Sequence, residues 1–361
     1  MRPTKRYWWS NIVTSTLLIT VIGILFTTQH GEALASDEEE NDTAVSVLYA
    51  TLRNHEEGDK PGEFFYGDSR GRLNAGICNM EFKPVNGLKK LADSAPFYIP
   101  DRIRSIKEIN EFSREEFWKR VEASVARDNG NLVFYIHGYN IGFEKACTRA
   151  ATFQRELDLH GRMLLFSWPA NGNMLTYTHD EADLAWSVSH LEKFLTQLSK
   201  RFGPSRIDLV AHSLGARGVL DALSRMSYSN PSKQLFNELI LIAPDIDSQI
   251  FLQRLPPLRP LVRRITLYAS ENDNALKLSH EVHGSNRLGE AGEMLTLDAG
   301  IETIDLSAQS TRTVSGHIYH LHNPMVIADI KQLIDEGKGA SQRTALEEQS
   351  LHGIRFWNLK P

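Results

Sequence analysis

Cysteine is scarce in this chain, with only two residues among 361. Cys78 and Cys147 can form one disulfide at most, so the fold cannot depend on a disulfide framework. Neither cysteine has sequence neighbours that suggest a zinc site or a reactive thiol. Two interpretations stay open for the pair: a disulfide in an oxidising compartment, or two small buried side chains in separate elements.

An excess of positive charge is also missing. The chain has 40 Lys and Arg residues against 45 Asp and Glu residues, a formal net charge of −5. Residues 1–35 contribute a net +2, from Arg2, Lys5, Arg6 and Glu32, so the rest of the chain carries −7. An acidic body without a basic stripe argues against nucleic acid as the main partner.

Long uncharged apolar runs are limited to one, close to the N-terminus. It extends from Ile12 to Phe26, follows three basic residues, and is followed by the A-x-A site Ala33–Ala35 and an acidic run. These are the parts of a cleaved secretory signal peptide. About 15 residues are short for a spanning helix, although neighbouring tryptophans could extend the run into a membrane anchor over residues 8–28. We expect a signal peptide at residues 1–35, with an uncleaved membrane anchor as the alternative, and a periplasmic or secreted protein.

Apolar runs and helix-like segments alternate from residue 112 onward. The inner runs are continuous rather than alternating with polar residues, which is typical of strands that helices cover on both faces. Repeated strand–helix units predict an α/β fold with a mostly parallel central sheet. The predicted strands are 132–136, 163–167, 207–210, 239–243, 265–269 and 302–306, and the predicted helices are 114–127, 143–157, 180–202, 216–226 and 324–336.

The two ends of the chain are less regular. Strand-like runs at 45–51 and 77–82 are separated by a polar, glycine-rich stretch at 54–74. Beyond residue 337 the chain is polar except at 354–357, which we expect to pack back onto the body. The expected organisation is an acidic linker at 36–44, an α/β domain at 45–337 and a polar C-terminal tail at 338–361.

A serine lies where the strand-like run 207–210 passes into a helix, in Ala211-His212-Ser213-Leu214-Gly215. Small residues two before and two after this serine allow a sharp turn that exposes the hydroxyl above the sheet edge. There the hydroxyl can meet a histidine base, and the amide of Leu214 can point at a developing oxyanion. Ser213 is therefore the candidate nucleophile, on a turn of the nucleophile-elbow type.

Two earlier strand ends carry candidates for the rest of the site. His137 and Gly138 follow the strand 132–136, and the amide of Tyr139 or Asn140 could supply a second oxyanion donor beside Leu214. The alternative is an ordinary glycine turn. Trp168 ends the next strand and either lines an acyl pocket, together with His137, or packs in the interior.

The acid of a Ser–His–acid triad must be buried beside the histidine. Asp273 follows the strand 265–269, at the position most often used in folds of this kind, and is the preferred candidate. Asp245 and Asp247 follow the previous strand and remain alternatives. Each of these carboxylates could instead serve only as a structural helix cap.

The base is expected after the last strand, where His317 follows Gly316. His320 and His322 are close competitors. The spacing of the three histidines could also suggest a metal site, but no carboxylate or cysteine is spaced to complete one. We therefore expect neither a metal nor a cofactor.

With these residues in hand, the chain resembles a bacterial family of esterase- or lipase-like α/β hydrolases of uncharacterised function, domain of unknown function 900. The resemblance covers roughly residues 45–336 and rests on segments in the family's order: Phe134–Glu144, Leu165–Pro169, Leu209–Arg217, Ala243–Asp247, Thr266–Leu276 and Gly316–Tyr319. It implies a hydrolase site carried by Ser213, Asp273 and His317. The family usually has asparagine before the arginine of the elbow helix, where this chain has Ala216. The family implies no substrate.

Three functions fit these residues. The first is hydrolysis of a small-molecule carboxylic ester. The second keeps the triad and changes the bond to a thioester, amide or lactone. The third is a catalytically idle hydrolase fold that serves as a binding module of the cell envelope, which the presence of serine, acid and histidine at the expected strand ends argues against.

Overall fold

The continuous apolar runs form the inner strands of a single sheet in a computed structural model, which describes residues 44–57, 64–84, 102–128, 130–171, 177–310, 313 and 315–361. The predicted signal peptide and nearly all of the predicted linker lie outside the described residues. The strands are β1 (Ala44–Glu57), β2 (Phe64–Pro84), β3 (Arg102–Glu111), β4 (Leu132–Ile136), β5 (Met163–Ser167), β6 (Ile207–His212), β7 (Phe236–Ile242), β8 (Val262–Ala269), β9 (Glu302–Asp305), β10 (Leu346–Leu351) and β11 (Ile354–Leu359). The helices are α1 (Arg114–Asp128), α2 (Phe143–Glu156), α3 (Tyr177–Phe202), α4 (Leu214–Ser229), α5 (Ser248–Leu258), α6 (Asn274–His283) and α7 (Pro324–Asp335).

The sheet has the strand order β10-β11-β9-β8-β7-β6-β4-β5-β1-β2-β3. Every pairing from β11 to β1 is parallel, and the pairs β10–β11, β1–β2 and β2–β3 are antiparallel. The predicted α/β class with a mostly parallel sheet is confirmed. Since ligands of such sheets bind at the carboxyl ends of the strands, the loops after β4, β5, β6 and β8 are the ones that matter for a site.

Helices on both faces explain why the inner strands are apolar throughout. On β4, Leu132, Phe134 and Ile136 belong to one core cluster with α1, α3 and α4, whereas Val133 and Tyr135 belong to a second cluster with α2 and α7. Successive side chains of a strand point to opposite faces, so both sets must be apolar. All five residues of β4 are fully buried.

The antiparallel ends of the sheet correct the sequence prediction. The polar stretch 54–74 is mostly strand, because β1 and β2 continue through it as a long ribbon, and β3 was not predicted at all. Strands near a sheet edge can expose one side to water and so need no continuous apolar run. At the other end of the sheet, the sequence predicted only that residues 354–357 pack on the body. In the structure the polar tail 338–361 includes two strands of the same sheet, β10 and β11.

Both cysteines are buried and free, Cys78 on β2 and Cys147 on α2. Burial, together with the neighbouring Cys78 thiol, raises the pKa of Cys147 well above its ordinary value. Within the described ranges, no helix combines the length and the apolar character that crossing a membrane requires.

Candidate active site

Ser213 lies on the sharp turn between β6 and α4. Its backbone angles are φ 54° and ψ −130°, a conformation that costs a non-glycine residue about 1–3 kcal/mol and is concentrated at functional sites. The turn is held from below, because the Ser213 amide donates to the Ile242 carbonyl of β7 at 3.0 Å and the Ser213 carbonyl accepts from the amides of Ala216 and Asp245. The strained serine is thus fixed by backbone bonds on both sides.

Two glycines let other chain segments approach this turn. A Cβ added to Gly215 would lie 2.4 Å from the carbonyl oxygen of His137, and one added to Gly138 would lie 2.6 Å from the Ser213 Cβ. Both distances are far inside van der Waals contact. The loop Gly138–Ile141, which follows β4 and is called the Gly138 loop below, therefore lies directly against the serine because glycine occupies both positions.

Asp273 and His317 are brought together from positions 44 residues apart. The Asp273 Oδ2 atom lies 2.7 Å from His317 Nδ1, while Asp273 Oδ1 accepts from the amides of Ala275 and Leu276 at the start of α6. Asp273 is 1% exposed and the side chain of His317 is 14% exposed. Both carboxylate oxygens are thus bonded, so rotation of the carboxylate away from the imidazole would also break the helix cap.

The backbone around His317 is anchored at several points above the sheet edge. His212 Nε2 lies 3.0 Å from the His317 carbonyl oxygen, and the two rings lie 4.7 Å apart between centroids. The Asn274 amide donates to the Ser315 carbonyl at 2.9 Å. His212 directly precedes Ser213, so these bonds bring the His317 segment beside the nucleophile turn. Among the described residues, no hydrogen bond joins Ser213 Oγ to the His317 ring.

The alternative acids have other partners. Asp245 forms a buried ion pair with Arg287, at 2.9 Å, and also accepts from the hydroxyls of Ser279 and Tyr177 at 2.7 Å each. Asp247 caps α5 through the amides of residues 249 and 250. Of the three candidate carboxylates, Asp273 is the one that contacts His317.

The three predicted oxyanion donors, Leu214, Tyr139 and Asn140, also differ in their surroundings. Leu214 is the first residue of α4, whose leading amides have no partner within the helix. The Asn140 amide, by contrast, donates to Asp180 Oδ2 at 3.1 Å. Tyr139 directly follows Gly138 in the Gly138 loop, and its ring lies 5.0 Å from the ring of Tyr177 between centroids. The Asn140 amide is thus already bonded to a buried carboxylate.

His137 and Trp168, predicted as a possible pocket, are fully buried and present no surface to a ligand. The Trp168 indole stacks on His137 at 5.3 Å and donates to the His137 carbonyl at 2.8 Å. Trp168 therefore packs in the interior and does not line a pocket. Both rings support the Gly138 loop from beneath.

Buried histidines surround the nucleophile turn. His212 and His320 are both buried, 4.5 Å apart between ring centroids, and neither His320 nitrogen has a hydrogen-bond partner among the residues that the structure describes. Burial is the main cause that lowers the pKa of both histidines well below the ordinary value, so they are neutral at pH 7. Across the described segments, no three His, Cys, Asp or Glu side chains converge as metal ligands.

Sequence reasoning missed two charged residues beside the site. Arg53 on β1 is fully buried and bonds to the loops after β4 and β5, and Asp180 on α3 accepts from amides of the same loops. In the sequence each stands among polar residues and looks solvated. The one sequence feature that pointed to the loop held by Arg53 and Asp180 was the turn predicted at His137 and Gly138.

Sheet topology, the Ser213 turn and the Asp273–His317 pair are features of the α/β hydrolases, and the protein is an α/β hydrolase. More narrowly, the chain belongs to the family described as "Alpha/beta hydrolase of unknown function (DUF900)", whose model matches residues 113–336. The resemblance expected from the sequence is thereby confirmed.

Among solved structures, the chain is similar to EstE1, a thermophilic and thermostable carboxylesterase cloned from a metagenomic library. The identity is 14% and the TM-score is 0.28, over 72% of this chain and 89% of that chain. A search of curated proteins finds no match.

Proposed function

We propose that this hydrolase cleaves carboxylic esters of small molecules through Ser213 as nucleophile, His317 as base and Asp273 as acid. The observation that carries the proposal is the 2.7 Å bond between Asp273 and His317, beside a serine held at φ 54°. A buried carboxylate on Nδ1 fixes the histidine tautomer in which Nε2 can accept a proton. A purely structural histidine needs no such partner next to a strained serine.

The chemistry follows from these roles. The His317 Nε2 atom takes the Ser213 proton as Oγ attacks the acyl carbon, and Asp273 stabilises the imidazolium that forms. The amides of Leu214 and Tyr139 hold the oxyanion of the tetrahedral intermediate. His317 then returns the proton to the leaving alcohol, and water releases the acid from Ser213. Proton transfer requires His317 to come within hydrogen-bond reach of Ser213 Oγ, which often happens only once substrate is bound.

Covalent labelling tests the nucleophile, and a substrate panel tests the bond. A fluorophosphonate is expected to add one adduct per chain, mapped by peptide mass spectrometry to Ser213. Matched p-nitrophenyl ester, thioester and anilide substrates of one short acid are expected to be turned over fastest as the ester. An adduct on another residue would remove Ser213 from the proposal. No adduct at all would favour the idle binding module, and faster thioester or anilide turnover would reassign the bond.

Export is proposed from the sequence of residues 1–35 alone. The basic start, the apolar core and the A-x-A site at 33–35 predict that the mature protein begins at Ser36, outside the cytoplasm. N-terminal sequencing of protein from the native host is the measurement. A chain that keeps residues 1–35 in the membrane fraction would support an anchor instead, and an intact chain in the cytoplasm would contradict both.

A further inference from the structure

The Gly138 loop is held by a buried cation that belongs to no triad. Arg53 is fully buried on β1, at a point where the register between β1 and β2 shifts on both sides of the residue. Such irregularities redirect a side chain out of the regular ladder. Here the guanidinium points into the carboxyl edge of the sheet, beneath the loops that carry the candidate oxyanion donor.

Arg53 donates to two of these loops at once. Its Nη2 bonds to the carbonyl of Ile141, the last residue of the Gly138 loop, at 2.5 Å. Its Nη1 bonds to the carbonyl of Ala170 at 3.0 Å, in the segment Trp168–Asn171, called the β5 loop. Its Nε bonds to the Ser167 hydroxyl at 2.9 Å, directly before that loop. Burial lowers the pKa of Arg53 only to about 10, so the group is charged at neutral pH.

Asp180 accepts hydrogen bonds from backbone amides of the same two loops. Its Oδ2 accepts from the Asn140 amide of the Gly138 loop at 3.1 Å, and its Oδ1 accepts from the Asn171 amide of the β5 loop at 2.7 Å. The side chain is fully buried near the start of α3. Burial raises the pKa of Asp180 to about 6, so the carboxylate is mostly charged at pH 7.

We propose that Arg53 and Asp180 are positioning residues of the oxyanion hole, which fix the Gly138 loop so that the Tyr139 amide meets the developing charge. This rests on the function proposed above. Arg53 donates to a carbonyl of each loop and Asp180 accepts from an amide of each loop, so the backbone directly after Tyr139 is held at the Asn140 amide and at the Ile141 carbonyl. Bonds to charged groups are about twice as strong as neutral ones, which suits them to hold a short loop rigidly.

The alternative is that the two charges only stabilise the fold. Both roles predict a lower melting temperature for a variant, but only positioning predicts selective loss of transition-state binding. Losing one oxyanion donor costs about 10²–10³ in kcat in other serine hydrolases, and a displaced donor should cost a fraction of that. The affinity for the ground-state ester should change little, because the oxyanion forms only during reaction.

Arg53→Lys is the test, since lysine keeps the charge but loses the planar fork that reaches both loops. The full chain is assayed for kcat and KM on a short p-nitrophenyl ester, and for the inhibition constant of phenylboronic acid, whose serine adduct is tetrahedral. We expect kcat to fall by about 10- to 100-fold with KM within about threefold, and the boronate affinity to fall in parallel.

Arg162→Lys is the matched control. Arg162 is also a buried arginine that joins a carbonyl, that of Asn131 at 2.9 Å, to a carboxylate, that of Asp335 at 3.1 Å. It lies at the amino ends of β4 and β5, the sheet edge opposite to the site. This variant should lose melting temperature while kcat and boronate affinity stay within about twofold of wild type.

Equal kcat and boronate affinity in Arg53→Lys and Arg162→Lys would overturn the proposal. If Arg53→Lys does not fold, Asp180→Asn replaces one amide-accepting oxygen by a donor and carries the same expectation, so that wild-type kinetics in a folded Asp180→Asn would also overturn it. A wild-type chain that neither turns over ester nor takes fluorophosphonate would refute the proposed function itself, and this inference with it.

Discussion

Replacing Ser213 by alanine is expected to abolish hydrolysis of short p-nitrophenyl esters, with a loss of about 10⁴-fold or more in kcat. No other residue from Ala211 to Ala216 carries a hydroxyl, thiol or amine that could attack the acyl carbon in place of Ser213. The fold should persist, since within the described part of the chain the Ser213 hydroxyl makes no helix-capping bond, and alanine meets the same backbone strain at φ 54°. Steady-state kinetics on protein of unchanged circular dichroism and melting temperature are the measurement.

Ser227→Ala on the same helix is a suitable control for this experiment. Its hydroxyl bonds locally to the Ser224 carbonyl at 2.7 Å, near the C-terminal end of α4 and away from the turn. Turnover should be unchanged in this variant. Wild-type turnover by a well-folded Ser213→Ala would exclude Ser213 as the nucleophile.

Asp273→Asn is expected to lower kcat by about 10⁴-fold, the size of the effect in serine proteases. The amide nitrogen can face His317 Nδ1 where the carboxylate oxygen now accepts, which favours the tautomer whose Nε2 carries a proton and cannot act as base. Asparagine is as good a helix cap as aspartate, so α6 should keep its start. The loss should therefore appear in kcat rather than in the melting temperature.

Asp245→Asn provides the contrast, because it removes a carboxylate of equal burial from the next strand end. Breaking its ion pair with Arg287 leaves a buried charge unpaired and should cost about 3–5 kcal/mol in the free energy of unfolding. Turnover per folded molecule should stay within about tenfold of wild type. The reverse ranking of the two variants, with Asp245→Asn the less active enzyme, would move the triad acid to the loop after β7.

The inner strands could be predicted from the sequence because a strand buried on both faces is a continuous run of apolar residues. The run 132–136 can only be a strand that packs on both sides, and its observed bounds match the prediction. The ribbon of β1 and β2 carries no such signature. Its outer part has water on one side and an irregular register near Arg53, so its residues alternate poorly and resemble a loop.

The site was predictable to the extent that it depends on local turns and strand order. Ser213 is marked by small neighbours, and Asp273 and His317 by the strands that precede them. Other contacts join residues about 40 positions apart, as in the Asp245–Arg287 ion pair and the bond from the Asn140 amide to Asp180. No pattern among neighbouring residues of the sequence predicts such contacts. A buried charge is recognised only when the segments that neutralise it are brought together, as Arg53 illustrates.

The outermost strands, β3 and β10, have a consequence for self-association. Among the described strands, each pairs with a neighbour on one side only, and a row of backbone N–H and C=O groups on an open side can recruit a strand from another molecule. On β10, Glu347 and Glu348 are exposed, and on β3, Lys107 and Glu108 are exposed. A second copy that approached β10 would set acidic side chains against acidic side chains. Charge on these outermost strands thus opposes the growth of the sheet into an aggregate through its edges.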